Sequence, residues 1–179
     1  MIKQLEEAKK NNQLLEIYSD LSDVKKFKVA KVLDANEDYT IISEISHYGL
    51  YDGFSLIQTE KIFQINKNTR YIKNLEILFE AKNQSHFSFD VENKDLILGF
   101  FEASKKQELV VIVELLEEVT IQGFVQSIED EIVMVDVLLY DGEPDGKAYV
   151  KKEDITCITC DNQEANCLKI SYSEITKDK

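Results

Sequence analysis

The chain has 179 residues, 44% of them hydrophobic, and a formal net charge of −13. This is length and apolar content enough for one or two packed domains. No apolar run approaches the ~18 residues needed to cross a bilayer, and the opening Met1-Ile2-Lys3-Gln4-Leu5-Glu6-Glu7 puts acids where a secretory signal needs an apolar stretch. The sequence therefore reads as a soluble cytoplasmic protein without a membrane partner, and its charge disfavours a polyanion. Of its 21 basic residues only Arg70 is arginine, the side chain best suited to gripping phosphates and guanines.

Residues 2–12 read as a short helix, with Ile2, Leu5 and Ala8 at helical spacing. Five short strands follow, over 14–18, 27–33, 39–45, 54–57 and 62–65, rich in β-branched and aromatic residues. Residues 69–82 return to helical spacing, with Tyr71, Ile72, Leu75, Leu78 and Phe79 on one face. Residues 83–94 form a linker in which Phe87, Phe89 and Val91 alternate with Ser88 and Asp90, so an extra strand is expected there. A second helix-then-strands series begins at 95–106, where Leu96, Ile97, Phe100 and Phe101 make an apolar stripe and Asn93 is the candidate cap. Strands are expected over 109–113, 119–125, 132–139, 147–150 and 155–158, with an acidic turn at 128–131 and a loop at 140–146. The tail from Ser173 is polar and is expected to fray.

The second series repeats the first. Leu14-Leu15-Glu16-Ile17 answers Leu109-Val110-Val111-Ile112, and Glu37-Asp38 answers Glu129-Asp130. Tyr48, Asp52-Gly53, Glu60, Ile62, Ile65 and Leu75 answer Tyr140, Asp145-Gly146, Glu153, Ile155, Ile158 and Leu168. A pattern shared at this spacing implies one small fold duplicated. It sets a first helix-plus-barrel domain over 1–82, a linker over 83–94 and a second over 95–179. Four of the six glycines, Gly49, Gly53, Gly142 and Gly146, and the single proline, Pro144, fall in equivalent loops where strands must reverse.

Candidate chemistry is sparse. Cys157 and Cys160 stand in a CxxC, with Cys167 following, but tetrahedral zinc needs four ligands, and copy one has Gln64, Lys67 and Asn74 at these places. The CxxC also falls on a strand and not at a helix start, where a thiol would be acidified. Asp141-Gly142-Glu143-Pro144-Asp145-Gly146 imitates the first half of a calcium loop, yet the position that needs a bidentate acid is Lys152. The acid pairs Glu37-Asp38 and Glu129-Asp130 sit at turn tips, where carboxylates are solvated. No Ser/His/Asp set, glycine-rich phosphate loop or HExxH is present, so no enzyme activity, cofactor or small-molecule substrate is expected.

The run Val111-Ile112-Val113-Glu114-Leu115, then Gly123-Phe124-Val125-Gln126-Ser127-Ile128-Glu129-Asp130, then Val133-Met134-Val135-Asp136, resembles the first signature of the Sm-like (Lsm) family. Val150-Lys151-Lys152-Glu153-Asp154-Ile155 stands at the place of the second. The resemblance covers about half of each copy, and SH3-like barrels share much of it. It implies a mainly β fold with short helices: two tandem small β-barrels, Sm-like or SH3-like, each preceded by a helix. The family's RNA-gripping residues do not carry over. Ile41 and Val133 stand where an asparagine is needed, and Gln58-Thr59 and Lys151-Lys152 replace its Arg-Gly pair. The expectation is a non-enzymatic binding or scaffolding protein that recognises protein or associates with itself through strand edges. The alternative is RNA or single-stranded DNA binding through Tyr39, Lys151 and Lys152.

Overall fold

The computed structural model describes residues 1–116, 118–129 and 131–177, so Asp130 of the expected acidic turn lies outside the described residues. Ten strands and four helices make a mainly β fold among those residues. The chain divides into two compact units, Met1–Phe89 and Asp90–Lys179, with residues 83–89 of the expected linker in the first and 90–94 in the second.

In the first unit, helix α1 (Ile2–Lys10) is followed by strands β1 (Leu14–Tyr18), β2 (Lys28–Ala35), β3 (Tyr39–Ile45) and β4 (Tyr51–Gln58). A 3-10 turn (Thr59–Lys61), β5 (Gln64–Lys67) and α2 (Arg70–Ala81) complete it. A nine-residue helix is marginal by itself. Helix α1 holds because Leu5 and Ala8 are buried where it packs on β2, and full burial of a leucine contributes about 1.5–3 kcal/mol. Helix α2 starts at Thr69, whose Oγ1 accepts from the Ile72 N–H at 3.1 Å. It seats Ile72 and Leu75 on Leu14, Val29 and Ile45 of the sheet.

The second unit runs in the same order: α3 (Leu96–Lys106), β6 (Val110–Leu115), β7 (Val119–Glu129), β8 (Ile132–Leu138), β9 (Pro144–Lys151), a 3-10 turn (Lys152–Asp154), β10 (Ile155–Cys160) and α4 (Gln163–Lys177). Helix α3 is capped by Asp95 and not by Asn93: Asp95 Oδ1 accepts from the N–H groups of Ile97 and Leu98 at 3.1 and 3.2 Å. Asn93 instead accepts from the Asp95 N–H. Helix α4 replaces the frayed tail expected from Ser173. Asn162 Oδ1 takes the Ala165 N–H at 2.8 Å, and Ala165 and Leu168 pack against Val110, Ile112 and Leu138, with Tyr172 beside them.

The expected pair of closed small barrels is not what forms; the antiparallel sheet is open. In the first unit the strand order is β5-β1-β2-β3-β4, and in the second it is β10-β6-β7-β8-β9. Among the described residues no ladder joins β4 to β5 or β9 to β10. The physical reason lies in the 3-10 turn after β4. It redirects the chain so that Phe63 N–H donates to Tyr18 C=O at 3.1 Å, and the four-residue β5 pairs with β1 from Leu15↔Lys67 to Tyr18↔Gln64. The extra strand expected at 87–91 is irregular backbone. No helix among the described residues is long and apolar enough to cross a membrane.

Candidate functional site

The feature that recurs in both units is the hairpin before the fourth strand. In the first unit, Ser46 N–H donates to Leu50 C=O at 2.8 Å and Gly49 N–H to Ser46 C=O at 2.8 Å. In the second, Leu139 N–H donates to Glu143 C=O at 2.9 Å and Gly142 N–H to Leu139 C=O at 2.9 Å. The bonds close the same rings, so Gly49 corresponds to Gly142 and His47 to Tyr140. The sequence pairing of Tyr48 with Tyr140 is one residue out of step. The glycine spacing carries the right register: 49 to 53 and 142 to 146 are equal steps.

Each of these glycines is a seat. Gly49 has φ +67°, and a Cβ there would lie 2.5 Å from Leu78 Cβ on α2. Gly142 has φ +88°, and a Cβ there would lie 2.6 Å from both Ser171 Cβ and Tyr172 N on α4. Only a residue without a Cβ allows both the left-handed backbone and this approach. The hairpin is therefore pressed onto the closing helix of its own unit, and large side chains elsewhere on its loop stay exposed. Tyr48 is 62% exposed and Leu50 40%; Tyr140 is 86% exposed and Leu139 44%. The His47 and Tyr48 rings lie against each other, tilted by 41° with centroids 3.8 Å apart, and Lys82 Nζ fixes the Tyr48 carbonyl at 2.6 Å. Each unit thus presents an aromatic ring and an aliphatic side chain on a braced loop. Large exposed apolar groups held rigidly in this way suit a contact surface at low entropic cost.

The nucleic-acid candidates have other surroundings. Tyr39 opens β3 in the first unit and is half-buried. Lys151 ends β9 and lies 3.4 Å from Glu153. Lys152 is half-buried, 2.9 Å from Asp95 and 3.8 Å from Glu131. Its ammonium is spent on the cap of α3. Burial raises the Asp95 pKa, but the hydrogen bonds from Lys152 and from the Leu98 and Ile97 N–H groups outweigh that and leave it below the ordinary carboxylate value.

Other polar groups serve the frame. Glu16 is buried on β1, where Asn66 Nδ2 and Thr69 Oγ1 donate to its carboxylate at 2.8 and 2.5 Å. Lys28 pairs with Glu44 at 2.6 Å across β2 and β3, and the Ser55 hydroxyl donates to the same carboxylate. Glu37 and Asp38 are exposed at the β2–β3 turn, whose backbone is held by Asn36 Oδ1. Asp141 Oδ1 takes the Glu143 N–H at 3.1 Å, an ordinary loop bond. The three cysteines are free thiols. Cys160 is buried 3.6 Å from Ser104 Oγ, and burial pushes its thiol well above the ordinary value, against the Ser104 hydrogen bond. Among the described residues no three His, Cys, Asp or Glu side chains group as a metal site requires. A cleft of about 520 Å³ in the first unit is lined mainly by polar side chains, among them Glu7, Asn12, Lys67, Asn68 and Glu76. Its charges are mixed, and it converges on no reactive group. Compared with protein-family profiles, curated proteins and solved structures, the chain finds no match in any of the three.

Proposed function

We propose that the chain is a non-enzymatic binding or scaffolding protein of the cytoplasm that engages protein through the aromatic hairpin tips at 47–50 and 139–140. The observation that carries this reading is the repetition of one device in two units. In each, a positive-φ glycine is locked under the closing helix, and an aromatic and an aliphatic side chain stand exposed on the same hairpin, at different positions of its loop: Tyr48 and Leu50 in one, Leu139 and Tyr140 in the other. A core needs no such exposure, and two tips on one chain gain avidity that neither has alone. The three free thiols fit a reducing compartment. The shared order of elements in the units supports a duplication, through which the second tip would have arisen.

The test is affinity capture from native cells with the full chain against Tyr48→Ser, Tyr140→Ser and the double variant, each shown to be folded by circular dichroism. The reading requires specific proteins that are retained by the wild type, weakened by either single change and lost with both. Retention unchanged in the double variant would reject the tips as the contact. Self-association is one form of the same reading, and sedimentation velocity decides it, since a strict monomer at all concentrations excludes it. RNA or single-stranded DNA binding through Tyr39, Lys151 and Lys152 is the rival. The ion pairs on Lys152 and the net charge of −13 weigh against it. Filter binding at low salt would retain oligonucleotide under that rival and none under our reading.

A further inference from the structure

Between α2 and α3 the chain lacks regular structure, yet residues 84–89 are tied to the sheet of the first unit side chain by side chain. Tyr51 N–H donates to Gln84 Oε1 at 3.2 Å. The Phe87 ring stands edge-on to Tyr51 with centroids 4.8 Å apart. Phe89 is buried and stacks on Phe54 at 4.3 Å. In the middle is His86: its Nδ1 lies 2.7 Å from Ser43 Oγ, and its ring lies 5.1 Å from Phe79 of α2. Ser43 is fully buried. The His86 Nε2 atom is buried and, among the described residues, has no hydrogen-bond partner.

We propose that residues 83–89 form a pH-sensitive strap, and that protonation of His86 releases it and uncovers Tyr51 and Phe54. A neutral imidazole needs only one partner for Nδ1 and tolerates an idle Nε2. The cation carries a donor on both nitrogens, so docking it would bury a charged N–H with no acceptor, which is far costlier than an unmet neutral group. The ionisable groups facing the ring are the Lys31 ammonium from β2 and the Tyr51 phenol from β4; β3 offers Ser43, and α2 offers Phe79. None of these supplies a negative charge near neutral pH. Burial, with Lys31 adding to it, pushes the His86 pKa down to about 4. The depressed value fixes the sign. Docking is complete above the ordinary histidine value of about 6.5 and weakens as pH falls from there toward 4. Allowing for a partly exposed ring, the ratio of docked to released strap should drop roughly tenfold between pH 8 and pH 5.

Ring NMR of the full chain should show His86 titrating well below the ordinary histidine value of about 6.5. Hydrogen exchange should show residues 83–89 losing about tenfold in protection between pH 8 and pH 5, after correction for chemical exchange, while β2 and β3 keep theirs. His86→Phe, which keeps the ring contact and cannot titrate, should hold the strap at pH 5. A His86 pKa at the ordinary histidine value, protection that does not change with pH, or a pH response that survives in His86→Phe would each overturn the proposal. The first two readouts need no variant.

Discussion

At the residue scale, the two seated glycines determine whether the tips are braced. Gly142→Ala must accept both a left-handed φ and a Cβ 2.6 Å from the α4 backbone, and should lose about 2–4 kcal/mol of unfolding free energy in denaturant titration. Gly146→Ala is the control. Its φ is +78° with nothing within 4 Å of an added Cβ, so it should cost only the backbone term, about 1 kcal/mol. Equal losses at the two positions would mean that α4 does not press on the hairpin. The glycine step was present in the sequence and gives the correct register of the hairpins. A match of tyrosine to tyrosine missed it, because identity of side chain is weaker information than a position only glycine can occupy. The setting of His86 was not legible. Its partners Ser43, Tyr51 and Phe79 are distant along the chain, and nothing in the local pattern pairs them.

At the element scale, the caps hold the helices to the sheet. Asp95→Ala removes two capping bonds and the Lys152 contact, and should destabilise the protein by about 1–2 kcal/mol at pH 7. Because the Asp95 pKa is lowered in the folded state, its contribution is present above the ordinary carboxylate value and lost as pH falls through the folded value. The stability difference between wild type and Asp95→Ala should therefore be largest above the ordinary carboxylate value and shrink as pH falls below it. Thr69→Ala should cost about 2 kcal/mol, since it uncaps α2 and leaves buried Glu16 without one donor. Thr69→Ser should recover most of that loss. The strands were legible because β-branched runs such as Tyr39–Ile45 point to little else. Closure of the sheet was not, because the partner of β5 is chosen by a three-residue turn and by a bond from Phe63 to Tyr18, a contact far apart in sequence. Helix α4 was hidden by its polarity. Its apolar stripe is only Ala165, Leu168 and Tyr172, although Asn162 offers the cap.

At the scale of the whole molecule, two units with one order of elements each expose an aromatic and an aliphatic side chain on the hairpin before the fourth strand, and the chemistry that composition suggested is absorbed elsewhere. Lys152 pairs with the carboxylate that caps a helix, Cys160 is buried, and Asp141 holds the backbone of its own loop. Lys152→Ala should accordingly lower stability by about 1 kcal/mol in thermal or denaturant unfolding, and should change no oligonucleotide retention. The central claim is that both tips touch protein. Its most direct test places a photo-crosslinking amino acid at position 48 or 140 of the full chain in cells, with the exposed α2 position 77 as reference. The account predicts the same crosslinked proteins from 48 and 140 and none of them from 77. Crosslinks no different from those at 77, or none at either tip, would contradict it.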